Sequence, residues 1–183
     1  SRGPRVLFIF MEGSMKISVV GYSASGKSTF SKRLSKHYNI PVLHIDTIYF
    51  SKGMVVNDKK ESEQKIYDFM KQEHWIIDGT YRYLANERYD EAEQLFIFDF
   101  NRFKCLYGVL KRYFKYRHRQ RDTMADGNPE KLDFGFIKWI LWDGRKKDSK
   151  QLMKSFRTKY KDKAIRFKNR RQVNQYLKSI NIK

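Results

Sequence analysis

Apolar residues fall into two patterns that alternate along the chain. Short apolar runs stopped by glycine, aspartate or a charged stretch read as strands: 16–20 ending at Gly21, 40–45, 75–77 ending in Asp78-Gly79, 94–100 and 163–167. Pro41 has to open its strand, because proline donates no ladder hydrogen bond. Between the strands come segments with apolar residues every three or four positions, which predict helices. Phe30, Leu34 and Tyr38 mark one over 27–38, and Ile66, Phe69 and Met70 mark another over 59–73. Phe103, Leu106, Tyr107, Leu110 and Phe114 form a stripe over 102–117. Residues 134–142 (FGFIKWILW) predict a helix facing the body, and 145–162 a basic helix with Leu152, Met153 and Phe156 as its apolar contacts. Val173, Tyr176, Leu177 and Ile180 mark a terminal helix. Residues 51–58, 81–93 (with a short helix) and 117–129 read as loops.

Strand and helix alternating in this way predict an α/β fold, a three-layer α/β/α sandwich with a mostly parallel five-stranded sheet. The 183 residues suit one domain. Residues 1–14 read as a non-native leader or upstream translation, and the domain is expected over 15–183, with a basic lid at about 113–130.

The strand–loop–helix at the front carries the first chemistry. Gly21, Gly26, Lys27 and Ser28 meet the pattern G-x-x-x-x-G-K-[ST] (Walker A). Such a loop curls so that its backbone N–H groups point at phosphate oxygens, which assigns Ser23, Ala24, Ser25 and Thr29 to the cradle as well. Lys27 is placed to reach the β- and γ-phosphates, Ser28 to hold Mg²⁺, and the helix offers its positive end to the same anion. An ordinary Gly/Ser turn would give no reason for a lysine at a helix N-terminus, where the dipole disfavours cations. ATP and Mg²⁺ are therefore the expected cofactors.

Sites in open parallel sheets lie at the carboxyl ends of the strands. Those ends carry Asp46, Asp78 and Asp99, with His44 two residues before Asp46. Asp78 is read as orienting Mg²⁺ through its waters. Asp46 either accepts a proton from a hydroxyl nucleophile or anchors a substrate. Asp99 reads more readily as a cap or turn residue, and His44 as a packed histidine, with substrate contact as its alternative.

Charge changes the picture. The chain carries a formal +19, and it is lopsided: residues 1–101 hold 14 Lys/Arg against 13 Asp/Glu, and residues 102–183 hold 25 against 7. The basic half calls for an anionic partner, nucleotide or DNA, or else is a solvated face. Arg117, Arg119 and Arg121 alternate within the expected lid and suit charge stabilisation at a moving phosphoryl group. Cys105 is the only cysteine, which excludes an internal disulfide and a cysteine-built metal site. No apolar run reaches the roughly 18 residues a bilayer span needs, so no membrane partner and a cytoplasmic location are expected.

The segments 21–29, HIDTIYF (44–50), WIIDGTYR (75–82), FIFDFNR (96–102) and RHRQRDTMADGNPEKLDFGFIKWI (117–140) together resemble the FlaR-type DNA topology modulation proteins. These are small P-loop proteins related to adenylate kinase-like nucleotide kinases. The resemblance runs from Met15 to about Leu177, and Thr123 departs from it where a proline is expected. DGTYR is also similar to the DGFPR segment of adenylate kinases. The resemblance implies Asp78 near Mg²⁺, Arg82 near a substrate phosphate, Arg112 stacked on adenine and the turn 168–171 (KNRR) at the adenine edge. It implies a kinase acting on a nucleotide or other small acceptor, with an ATP-regulated DNA-binding protein as the alternative.

Overall fold

The computed structural model describes residues 13–116, 123–124 and 132–182. Five strands form one parallel sheet: β1 (Met15–Gly21), β2 (Val42–His44), β3 (His74–Asp78), β4 (Gln94–Phe98) and β5 (Ala164–Phe167). Their order is β2-β3-β1-β4-β5, so the sequence-predicted five-stranded sheet is present and entirely parallel. The reason is visible in β1, whose MKISVVG is buried at every position but Lys16 and needs helices on both faces. Ser18, the polar residue in that run, is accommodated because its hydroxyl donates to the Arg88 carbonyl at 3.0 Å. Pro41 precedes β2 and joins the sheet only as an acceptor, from the Ile76 amide at 2.9 Å.

Helices α1 (Lys27–Tyr38), α2 (Ile45–Tyr49), α3 (Lys59–Met70) and α4 (Glu87–Glu91) lie in the first half. Helices α5 (Arg102–Tyr116), α6 (Phe134–Leu141), α7 (Lys147–Lys159) and α8 (Arg170–Ser179) follow. α1 buries Phe30 and Leu34 and ends where Asn39 turns left-handed and returns its amide to the Ser35 carbonyl. α2 was not expected. The run 40–45 stops being strand at His44, and Ile45 is already helical and fully buried.

Two apolar stripes also fall differently from the reading of the sequence. α5 buries Cys105 and Val109, while Phe103, Tyr107 and Phe114 are about two-thirds exposed. The cause is Gly108, which packs on the segment 21–29: a Cβ there would collide with the Ala24 carbonyl. The helix thus turns its small residues inward and its aromatics out. α6 was expected to face the body, yet among its residues only Ile140 is buried, and Phe134 is 90% exposed.

Among the described residues, no helix is long and apolar enough to cross a membrane.

Candidate functional site

A cavity of about 2270 Å³ opens at the carboxyl ends of β1, β2 and β3. Gly21, Ser23, Ala24, Gly26, Lys27, Ser28 and Thr29 form its floor. Ser25 is fully buried beneath, its hydroxyl donating to the Tyr22 carbonyl at 2.6 Å. Gly26 has φ +91°, a conformation glycine adopts without strain, and it starts α1 by accepting from the Phe30 amide. The Lys27 ammonium donates to the same Tyr22 carbonyl at 2.9 Å. Loss of solvent lowers the pKa of Lys27, while Asp78 and Asp46 act in the opposite sense. A desolvated cation over a ring of backbone amides is a site for an anion.

The acids differ sharply in their surroundings. Asp78 is buried on the cavity wall, with Oδ2 2.9 Å from His44 Nδ1. Asp78 Oδ1 is buried with no partner within the protein. Mg²⁺ was tested against these residues. No group of three or more His, Cys, Asp or Glu among the described residues could cage a metal. Mg²⁺ instead takes one or two carboxylates plus phosphates and waters, and the orphaned Oδ1 of Asp78, in the cavity that Ser28 also lines, fits a water of that shell. His44 itself lies behind Asp78 and off the cavity wall.

Asp46, in the first turn of α2, also lines the cavity. Its Oδ1 accepts from the Tyr81 hydroxyl at 2.5 Å. Burial and then Asp46 itself push the Tyr81 phenol far above its usual pKa, so it remains a proton donor. Arg82 is on the wall, 3.5 Å from Asp148 of α7 and with its guanidinium 4.5 Å from the Tyr83 ring centroid.

Asp99 is not on this wall. It follows β4 and is held by Arg157 at 3.1 Å and Arg166 at 2.5 Å. Arg112 lines the cavity with its guanidinium 5.6 Å from the Phe136 ring centroid. Of the 168–171 turn, Asn169, Arg170 and Arg171 reach the cavity, and Arg170 donates to the Ser25 carbonyl at 3.0 Å. Arg117, Arg119 and Arg121 lie outside the described residues, as does most of the expected lid. Thr123 and Met124 are buried and line the cavity. Cys105 is buried, accepts from Arg145 at 3.1 Å, and has its thiol pKa raised by burial.

Several contributors carry no sequence signal. The Thr80 hydroxyl accepts from the Gly21 amide at 2.7 Å and donates to the Gly21 carbonyl at 3.0 Å, pinning segment 78–82 to the loop. Arg88 is fully buried and donates to the carbonyls of Leu84, Ala85 and Tyr81, which shapes the chain around Arg82. Arg145 stacks 3.8 Å over the Tyr22 ring and donates to the Phe100 carbonyl.

The chain matches no known family profile. A stretch of 63 residues is 45% identical to a shikimate kinase of Flavobacterium psychrophilum, covering 34% of this chain and 36% of that protein. The match thus spans about a third of either. Among solved structures, deoxyadenosine kinase from M. mycoides, with dCMP and dCDP bound, superposes over 91% of this chain and 97% of its own, at 14% identity and a TM-score of 0.52. Shikimate kinase from Aquifex aeolicus covers 91% and 94% at 17% identity, with a TM-score of 0.48. The protein has a P-loop nucleotide kinase-like fold.

Proposed function

We propose that the protein is an ATP- and Mg²⁺-dependent phosphotransferase that moves the γ-phosphoryl group onto a small-molecule or nucleotide acceptor. One observation carries this reading. The glycine-lysine loop, an acid with an unpartnered oxygen (Asp78), a second acid (Asp46) and an arginine (Arg82) meet in one cavity. The part-length likeness to a shikimate kinase and the kinase-like fold support it.

The backbone amides of residues 21–29 and Lys27 hold the β- and γ-phosphates. Ser28 and a water-bridged Asp78 place Mg²⁺, which neutralises charge at those oxygens when bound. Asp46 takes the proton of a hydroxyl acceptor, or anchors the acceptor when it is itself a phosphate. Arg82 leaves Asp148 to pair with an anionic group of the acceptor. Arg112 and the 168–171 turn flank the base. Arg117, Arg119 and Arg121 close on the transferred group. The test is an ADP-release screen of nucleosides, nucleoside monophosphates and small hydroxyl compounds. An acceptor that raises ADP release well above the acceptor-free rate supports the proposal, and a screen in which none does refutes it.

A second reading is favoured by the exposed side of α5. Exposed Phe103 and Tyr107 run beside exposed Lys104, Lys111 and Lys115 on the cavity wall, exposed Phe114 lies off it, and the helix carries no acid. Aromatics beside cations suit a nucleic acid. This agrees with the resemblance to FlaR-type topology modulation proteins and would make the protein an ATP-regulated DNA-binding protein. DNA affinity should then fall steeply with salt, and absence of binding at about 50 mM salt removes this reading.

A further inference from the structure

Arg170 opens α8 on the far side of the loop from Asp78. Its Nη2 donates to the Ser25 carbonyl at 3.0 Å. Its terminal nitrogens fill the space that a Cβ on Gly26 would need. The Phe100 ring centroid lies 5.7 Å from its Cζ. Burial, and then the charge of Arg33, lower its pKa. A guanidinium nonetheless stays protonated in a protein. Beside it lie a carbonyl and a ring, with the charge of a second arginine acting on it, so its charge is held against a partial electrostatic cost although the residue as a whole is exposed.

The geometry of one peptide explains what that cost secures. Among the described residues no peptide bond is cis. In a trans peptide the carbonyl and the N–H point to opposite sides. Arg170 holds the Ser25 carbonyl on its own side, so the Gly26 N–H of the same peptide is turned the other way. The φ of +91° at Gly26 favours glycine, and the absence of a side chain there leaves the room that the Arg170 guanidinium occupies. The Ser25 hydroxyl, bonded to the Tyr22 carbonyl, fixes the residue from its side chain as well.

We propose that Arg170 is a positioning residue for phosphate binding. It locks the Ser25–Gly26 peptide with its N–H turned into the cradle, and it sets a positive charge behind the phosphates. The proposal rests on the nucleotide reading above. Within the 168–171 turn it places the action of Arg170 on the phosphate chain and leaves the base to the turn's other residues.

The experiment titrates Mg-ATP and inorganic tripolyphosphate calorimetrically into the wild type, Arg170→Met and Arg170→Lys, with ligand-free melting as the control for folding. Charge-assisted hydrogen bonds of this kind predict that Arg170→Met weakens both ligands by a common factor on the order of 10 to 100. Arg170→Lys, which keeps the charge and loses the fork, should recover part of that loss. Millimolar guanidinium should restore binding to Arg170→Met, an effect that lost packing alone would not give. Equal affinity in wild type and Arg170→Met overturns the proposal and leaves the nucleotide reading intact. Loss of ATP affinity without loss of tripolyphosphate affinity also overturns it, by moving the action to the base. If Arg170→Met does not fold, Arg170→Lys decides, and unchanged binding of both ligands there together with no effect of Arg33→Met counts against a charge held behind the phosphates. A wild type that binds neither ligand refutes the nucleotide reading itself.

Discussion

Asp78 and Asp99 stand at the carboxyl ends of the two strands that flank β1, yet the molecule uses them in opposite ways. Asp78 pairs in register with Val19, just below the glycine-rich loop, whereas Phe98 pairs with Gly21, so Asp99 is carried past the loop. Asp78 is held through one oxygen by a histidine, and its other oxygen is buried without a partner. Asp99 is clasped by two arginines and does not reach the cavity. Asp46 lines the cavity and accepts from the Tyr81 hydroxyl. A contact to one oxygen fixes Asp78 and leaves its other oxygen for a cation or its water. Arginines fix Asp99 and cancel its charge. Position at a strand end is shared by all three acids, and the neighbours decide which of them is chemical.

The largest effect should come from Asp78→Asn. It is nearly isosteric, but removes the charge that a hydrated Mg²⁺ needs. Turnover should fall on the order of 10²- to 10³-fold, the scale of one preorganised electrostatic group. ADP release at saturating acceptor measures this, and a variant within a few-fold of wild type would remove Asp78 from the chemistry.

The β4 end serves the site through its helix instead of its acid. In a helix interior Gly→Ala ordinarily stabilises by about 1 kcal/mol. At Gly108 the added methyl meets the Ala24 carbonyl, so Gly108→Ala should instead cost roughly 1–3 kcal/mol, the usual range for overpacking. ATP affinity should drop with it. Thermal unfolding with and without ATP reads both, and a stabilised variant with normal affinity would dissolve the link between α5 and the loop.

The parts of this arrangement visible in the sequence are those that signal locally. The run into Gly21, the glycines, Lys27 and the Phe30–Leu34 spacing lie within a few turns of one another, and strand, loop and α1 follow from them. α2 was hidden because the apolar run 40–45 carries no break where the backbone changes at Ile45. The inward side of α5 was hidden because a glycine made the contact, and apolar spacing gives glycine no weight. Thr80 meets Gly21 across 59 residues and Arg170 meets Ser25 across 145, distances at which periodicity carries no information. Arg88 reads as surface charge, and only the carbonyls converging on it explain its complete burial.

Asp99→Asn tests the structural side of the comparison. It would leave Arg157 and Arg166, each about one-third exposed, without their carboxylate. Charge-assisted hydrogen bonds at such sites suggest a loss of about 1–2 kcal/mol, discounted for solvent screening. The melting temperature should fall while ADP release stays within about threefold, since an ion pair off the cavity contributes no group to the reaction. Lost turnover in a folded Asp99→Asn would show that two arginines do not silence a strand-end acid.

The smallest expected effect concerns the hydroxyl contact on Asp46. Tyr81→Phe keeps the ring, which packs 4.7 Å from the Tyr49 ring, and deletes only the hydroxyl that bonds Asp46. One hydrogen bond to a partly buried carboxylate is worth on the order of 1 kcal/mol, so turnover should fall up to about tenfold. Thr80 and its two bonds to Gly21 are untouched, so the KM for ATP should stay near its wild-type value while kcat declines with the acceptor. A rise in KM for ATP at constant kcat would mean that Tyr81 serves the loop and not the acid. The comparison with Asp99 would then rest on Asp78 alone.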